Sequence, residues 1–257
     1  MAGPNKSLGQ HWLRDRDVLS EIADLADLSK DDTVLEIGPG LGTLTSELLR
    51  QAGSVVAVEF DSELARKLPG QFPGTNLSVT NEDILTFNLD SMPVGYKVVA
   101  NVPYYITSKI VQRLMTADNK PLMTVLLVQK EVAERLAAEP GDMSILAISA
   151  QVYAKASLGS IVPAELFTPP PKVDSQIIVL ETRATPLITA EDEKKFFRVV
   201  KAGFSAKRKK LRSSLSGGLG ISKQAAEDYL SSAQISPDSR AEDLSIENWI
   251  NLVEAVK

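Results

Sequence analysis

Residues 98–109 read "VVANVPYYITSK": an apolar strand end, then an amide, a proline and two tyrosines. One use of such an ending is structural. Pro103 sets the bend of a strand-to-helix turn, and the rings of Tyr104 and Tyr105 close the core. The other use is a receptor for a flat, amide-reading guest such as a nucleobase. An exocyclic amine on adenine is a poor nucleophile, because its lone pair is delocalised into the ring. A catalyst that alkylates it gains by offering acceptors to both N–H bonds, which localises that pair on nitrogen. The side-chain oxygen of Asn101 and the carbonyl of Val102 are two such acceptors, and Pro103 fixes the turn that carries them. Tyr104 supplies a stacking face. This chemistry needs neither metal nor histidine, which suits a chain with one histidine, His11, and no cysteine.

Upstream, Gly38-Pro39-Gly40-Leu41-Gly42 follows an apolar strand and opens a helix. Glycines there let backbone amides approach a ligand at a helix N-terminus. The spacing is not the G-x-G-x-x-G of nicotinamide and flavin folds, since Thr43 takes the third place. Glu59 ends the next strand, where an acid can grip two ribose hydroxyls. Glu82-Asp83 follows the third strand, where Asp83 can accept from an adenine amino group. Alone, the glycine turn is equally well a structural turn. With Glu59 and Asp83 it reads as a site for an adenosine-containing ligand. Glu36, inside a strand, is either a satisfied buried acid or the partner of a cationic part of that ligand.

These residues need strands to hold them. "TVLEIG" and "SVVAVE" are short apolar strands joined by "GTLTSELLRQA", whose Leu44, Leu48 and Leu49 have helical spacing. Two such strands around a helix make a βαβ unit and so a parallel sheet. "NLSVT", "YKVVAN" and "MTVLLVQ" add strands, with helices near 61–68 and 107–116 between them. Apolar segments at 145–155, 157–162 and 176–182 also suit strands. The expected fold is α/β: a doubly wound, mainly parallel sheet of about seven strands over roughly 30–183. From Glu191 onward the pattern is helical: "EDEKKFFRVVKAGF", "SKQAAEDYLSSA" and "IENWINLVEAV", with "SGGLG" as a break. This gives a domain at 1–183, including an N-terminal arm at 1–30, and a small α-helical domain at 184–257.

The net charge of −5 argues weakly against a nucleic-acid partner, but it is an average. Residues 194–212, "KKFFRVVKAGFSAKRKKLR", hold nine Lys or Arg and no acid. A dense basic run on an acidic body is an electrostatic footprint that the total hides. The first residues have no signal-peptide core, and no apolar run approaches the roughly 18 residues that cross a bilayer. With no cysteine, the expected location is the cytoplasm.

At Asn101-Val102-Pro103-Tyr104 the chain resembles class I S-adenosylmethionine-dependent adenine N6-methyltransferases, whose Rossmann-like fold carries an N-L/I/V-P-Y signature. It is more closely similar to the small-subunit ribosomal RNA adenine N6,N6-dimethyltransferases, the kasugamycin-sensitivity family. The resemblance covers nearly the whole chain, in order: "KSLGQHWLRD", "LEIGPGLGTLT", "LLVQKEVAERL", "PAELFTPPPKVDS" and "FSAKRKKLRSSL". It implies that His11, Leu13, Gly38, Glu59, Asp83 and Asn101 line the S-adenosylmethionine site; Gly40 of the same turn is expected there too, and the cationic part that Glu36 could meet is then the cofactor's ammonium or sulfonium. It implies that Phe167 faces Tyr104 across a flipped adenine. It also implies that two methyl groups go to each of two adjacent adenosines near the 3′ end of 16S rRNA, in ribosome biogenesis; no metal is expected, and a monomer is the expected state. Lys207, Arg208, Lys209, Lys210 and Arg212 are then the RNA-binding surface rather than a solvated face. Departures from the family pattern are His11-Trp12 for the usual Asn-Phe, Lys207 for a common arginine, and Met143-Ser144-Ile145 where Tyr-Gly is frequent.

Two alternatives share the cofactor turn. The large-subunit rRNA adenine methyltransferases of macrolide resistance also have the N-x-P-Y turn, but "FSAKRKKLRSSL" and "SLGQHWL" favour the small-subunit type. A non-catalytic nucleic-acid-binding factor on this fold is disfavoured by the intact Asn101–Tyr104 motif.

Overall fold

The computed structural model describes residues 10–206 and 208–256, which fall into two compact units. The first, Met1–Glu134 with Ala154–Thr182, contains every strand. Along the chain it runs β1 (Trp12–Leu13), α1 (Arg16–Asp24), β2 (Thr33–Ile37), α2 (Thr43–Gln51), β3 (Ser54–Glu59), α3 (Ser62–Lys67), β4 (Leu77–Asn81), β5 (Lys97–Asn101), α4 (Thr107–Thr116) and β6 (Met123–Gln129). The boundary falls within α5 (Lys130–Leu136), and the chain later returns as β7 (Ala154–Val162), β8 (Phe167–Thr168) and β9 (Ser175–Thr182).

Seven strands form one sheet in the order β4-β3-β2-β5-β6-β9-β7. The pairs from β4 to β6 are parallel, while β9 is antiparallel to both β6 and β7. The central strands are nearly unbroken apolar runs, as strands covered on both faces must be. Their order reverses between β2 and β5, which opens a crevice beyond their carboxyl ends. At the opposite end Lys97 begins β5. Its Nζ donates to the Asp27 carbonyl (2.5 Å) and to Asp32 Oδ2 (3.3 Å). A separate two-stranded ladder pairs β1 with β8, Leu13 opposite Phe167.

The glycine turn has the backbone its sequence implies. Gly38, Gly40 and Gly42 all have positive φ (67°, 58° and 80°). Gly42 is fixed sterically as well, since a Cβ there would lie 2.7 Å from Leu68 Cδ1 and 2.9 Å from Phe72 Cε2. Downstream, Asp61 caps α3 by accepting from the amides of Glu63 and Leu64.

The second unit groups Arg135–Tyr153 with Arg183–Lys257. It contains α6 (Ile145–Gln151), α7 (Ala190–Gly203), α8 (Leu211–Leu219), α9 (Lys223–Ser232) and α10 (Ile246–Ala255). Two sequence expectations are corrected here. Residues 145–151 are helical, not a strand, and begin at Ser144, whose hydroxyl accepts from the Ala147 amide. They belong with 183–257 in the second unit, where the Gly141 and Met143 amides just before them both donate to the Glu242 carbonyl. "SGGLG" is not a break between helices but the end of α8, with Gly220 as its left-handed cap. Gly218 lets α8 approach α7, since a Cβ there would sit 2.5 Å from Ala202 Cα.

Candidate active site

A cavity of about 320 Å³ opens at the carboxyl ends of β2, β3, β4 and β5. Its walls come from Gln10–Leu13, the glycine turn, Glu59-Phe60 after β3, Glu82–Leu85 after β4, and Asn101–Ile106 after β5. Of the residues singled out from sequence, His11, Leu13, Glu36, Gly38, Gly40, Glu59, Asp83, Asn101, Val102, Pro103 and Tyr104 all line it.

The carboxylates are held in different ways. Glu59 Oε2 accepts from the Gly40 amide (3.0 Å) and Oε1 from the Asp61 amide (2.8 Å). Burial pushes its pKa up, and these two hydrogen bonds oppose the rise. The same contacts lock the glycine turn onto the end of β3. Asp83 Oδ1 accepts from the Leu85 amide (2.9 Å) at the turn after β4. Glu36 is 1% exposed, and its Oε2 has no hydrogen-bond partner. Burial pushes it up to about 8, and the charge of Glu59 adds to the rise. The Thr45 hydroxyl beside it moderates this without reaching hydrogen-bond geometry.

At the end of β5, Asn101 Nδ2 donates to the His11 carbonyl (3.3 Å). That contact sets the amide's orientation and leaves Oδ1 as the acceptor. His11 Nδ1 donates in turn to the Pro169 carbonyl (2.7 Å). Its ring lies 5.7 Å from that of Tyr104, centroid to centroid, with 17° between the planes. Tyr104 Oη is bound to Ser175 Oγ at 2.6 Å, and Ser175, the first residue of β9, is fully buried. Burial pushes the Tyr104 hydroxyl up, and the bond to Ser175 offsets part of this.

Phe167 is not where the sequence reading put it. It is 2% exposed, is absent from the cavity wall, and belongs to the core cluster with Leu13, Leu19 and Ile177. Pairing of β8 with β1 commits it to that core, and the ring facing Tyr104 is His11.

In the second unit, Lys207 lies outside the described residues. Arg208 and Lys209 are exposed and form no ion pair among the described residues. Lys210 is bound to Asp238 (2.9 Å), and Arg212 to Glu227 (3.1 Å) and Asp238 (3.4 Å). The hydrogen bond from Lys210 holds the Asp238 carboxyl below its usual range. Part of the basic run is therefore answered by acids of its own unit.

A family model described as Ribosomal RNA adenine dimethylase matches residues 2–257. The chain belongs to this family. Two relatives, each named "Ribosomal RNA small subunit methyltransferase A", illustrate the likeness. That of Dehalococcoides mccartyi is 45% identical over 251 residues, covering 96% of this chain and 86% of its own. That of Moorella thermoacetica is 39% identical over 263 residues, covering 97% and 91%. The crystal structure of the 23S rRNA methyltransferase ErmE superposes with a TM-score of 0.79 at 31% identity, covering 95% of this chain and 99% of that one. A dimethyladenosine transferase from Plasmodium falciparum gives 0.79 at 27% identity, with 94% and 96% covered. The adenine dimethylase fold is thus a class I methyltransferase sheet followed by helices.

Within that adenine dimethylase frame, four residues were not singled out as site residues from the sequence. Thr43 Oγ1 donates to the Leu13 carbonyl (3.0 Å) and ties the glycine turn to the N-terminal segment. Phe60 lies in the cavity wall yet is 59% exposed, and Tyr105 is 64% exposed at the same cavity. Their positions directly after Glu59 and Tyr104 were the available signal. Ser175, in "KVDS", carried none. Among the described residues no three or more His, Asp or Glu gather as a metal site, and no helix is long and apolar enough to cross a membrane.

Proposed function

We propose that this dimethylase uses S-adenosylmethionine to methylate the N6 amines of two adjacent adenosines near the 3′ end of small-subunit rRNA, two methyl groups on each. The reading is carried by the Asn101 amide: Nδ2 is occupied by the His11 carbonyl, so the group left for a guest amine is an oxygen acceptor.

The residues present suit the cofactor. The cavity volume lies in the range of roughly 300–1,000 Å³ typical of small-molecule sites. The orphaned Oε2 of Glu36 is a buried acceptor that matches an ammonium group. Glu59 keeps lone pairs for ribose hydroxyls, and Asp83 sits after β4 within the same wall, placed for an adenine amino group. His11, Leu13, Gly38 and Gly40 complete that wall. When bound, S-adenosylmethionine supplies an electrophilic methyl group.

The chain's own residues do the rest. Asn101 Oδ1 and the Val102 carbonyl accept the two N–H bonds of the adenine amine. As positive charge develops on nitrogen these hydrogen bonds strengthen, so they favour the transition state over the ground state. Pro103 keeps the two acceptors in fixed relation. Tyr104, held by Ser175, offers the face against which the flipped base stacks. Arg208 and Lys209, with Lys207, Lys210 and Arg212 beside them in sequence, meet rRNA phosphates. The higher identity to the small-subunit relatives, 45% against 31% for ErmE, favours the small subunit as substrate.

Incubation with labelled S-adenosylmethionine and unmethylated small or large ribosomal subunits, followed by mapping of modified nucleotides, tests this. Dimethyladenosine at two adjacent small-subunit positions is the expected result. Label confined to the large subunit would overturn it.

A further inference from the structure

Tyr105 and Lys109 have no part in the chemistry above; Tyr105 lies in the cavity's β5 wall, and Lys109 follows it in α4 at the neighbouring depression. Tyr105 lines the cavity while 64% exposed, and its hydroxyl makes no hydrogen bond among the described residues. The turn Tyr104–Ile106 runs straight into α4, so Lys109 follows Tyr105 by about one helical turn and shares its face. The opposite face of α4 is committed to the core through Ile110, Val111, Leu114 and Met115. Lys109 is exposed and forms no ion pair among the described residues. It borders a second, shallower depression that shares Leu85 with the cavity, so the two concavities adjoin. Arg113 of that depression already donates to the Phe87 carbonyl, and Asp90 and Asp118 also line it. Of the two cations lining it, Arg113 is thus held in place, while Lys109 has no hydrogen bond or ion pair among the described residues and is exposed to meet an anion.

A solvent-facing ring with a free cation one turn away fits a single-stranded nucleotide, base on the ring and phosphate on the ammonium. The inner ring cannot serve a second base, because Tyr104 is half-buried and tied to Ser175. We infer that Tyr105 and Lys109 form a subsite for the nucleotide next to the flipped adenosine. The inference rests on the reading of this chain as an RNA adenine dimethylase. Where the target is two adjacent adenosines, the neighbour held outside is the next base to be methylated. Flipping one base then leaves the other stacked on Tyr105 rather than loose in solvent.

The test uses the full chain and unmethylated small ribosomal subunits. Tyr105→Leu is expected to raise KM for the subunit about 10-fold, within the range for loss of one base–aromatic stack. Tyr105→Phe, which keeps the ring, should stay within about twofold of wild type. Lys109→Gln should raise KM and reduce its salt dependence by about one unit of log–log slope. S-adenosylhomocysteine affinity, measured by calorimetry, should be unchanged in all three. A Tyr105→Leu enzyme with wild-type KM and kcat would overturn the subsite while leaving the dimethylase reading intact. Equal loss in the Leu and Phe variants would also overturn it, because stacking would not be the cause. Absence of methyl transfer by the wild type would overturn both.

Discussion

Strand β5 begins with a buried cation and ends with a half-buried amide, and the two ends are finished differently. At Lys97 every strong polar group has a protein partner. Its ammonium meets the Asp27 carbonyl and the Asp32 carboxylate, and Asp32 also accepts from the Ser29 amide and hydroxyl. Burial raises the Asp32 carboxyl, but the Ser29 hydrogen bonds and then Lys97 hold it below the usual range. At Asn101 the balance is left open. Its Nδ2 is satisfied while Oδ1 is left for a guest, and Glu36 at the end of the neighbouring strand has a buried oxygen with no partner. A closed polar network is a structural element; an open one at a cavity is one that a bound guest would complete.

The sharpest way to break this contrast is Asn101→Ala. Methyl transfer in a single turnover should fall on the order of 10²–10³-fold, as for loss of one preorganised polar group. The midpoint of urea unfolding should move little. A rate within a few-fold of wild type would remove Asn101 from the chemistry.

Lys97→Met tests the closed end. It leaves the Asp27 carbonyl and part of Asp32 without a donor, so stability should fall by about 2 kcal/mol. S-adenosylmethionine affinity should stay the same. A variant with normal stability and weakened cofactor binding would reverse the assignment of the two ends.

Glu36 supplies a pH signature of the open end. Its carboxyl rises from 4.5 to about 8 on folding. Between those values the folded chain keeps a proton that the unfolded chain has released. The stability of the cofactor-free protein should therefore decline as pH rises through that window and level off above it. Glu36→Gln should flatten the decline. Thermal melts of both proteins across the window check this, and a pH-independent difference between them would mean that Glu36 is ionised throughout.

The smallest effect belongs to the basic segment, where the same contrast recurs. Arg208 and Lys209 are open, while Lys210 and Arg212 are closed by Asp238 and Glu227. Changing Arg208 and Lys209 to Gln should flatten the dependence of log K for subunit binding on log salt by at most about one unit per lost contact. Changing Lys210 and Arg212 should flatten it less. Equal slopes for both pairs would mean that the ion pairs open on RNA.

Much of the open end was legible in the sequence, because it is built on strand ends. Strands β2, β3 and β5 are short apolar runs, and each strand from β2 to β5 ends at or just before a glycine, an acid or an amide, so Glu59, Asp83 and Asn101 could be placed at strand ends by position alone. What failed depended on long-range packing. "ILAISAQ" is apolar without a clear period, and its helix is decided by the Ser144 cap and by packing in the second unit. "SGGLG" looks like a break because glycine weakens helices, but Gly218 is needed for the approach to Ala202. Phe167 was placed by its rigid prolines, whereas its partner was Leu13, more than a hundred residues earlier in the chain. The stacking of His11 on Tyr104 likewise joins residues far apart in the chain.

The segment from His11 to Leu13 is fastened by a few polar ties and by Leu13, which is buried in the core. The His11 carbonyl takes Asn101, its ring takes Pro169, the Leu13 carbonyl takes Thr43, and a two-residue ladder joins β1 to β8. Because this segment is also a wall of the cavity, its bonds act as a latch on whatever the cavity holds. Two methyl transfers to one nitrogen require the spent cofactor to leave and a fresh one to enter between them. Opening of this segment would give that exchange a route, and amide hydrogen exchange at residues 11–13 would measure how readily it opens.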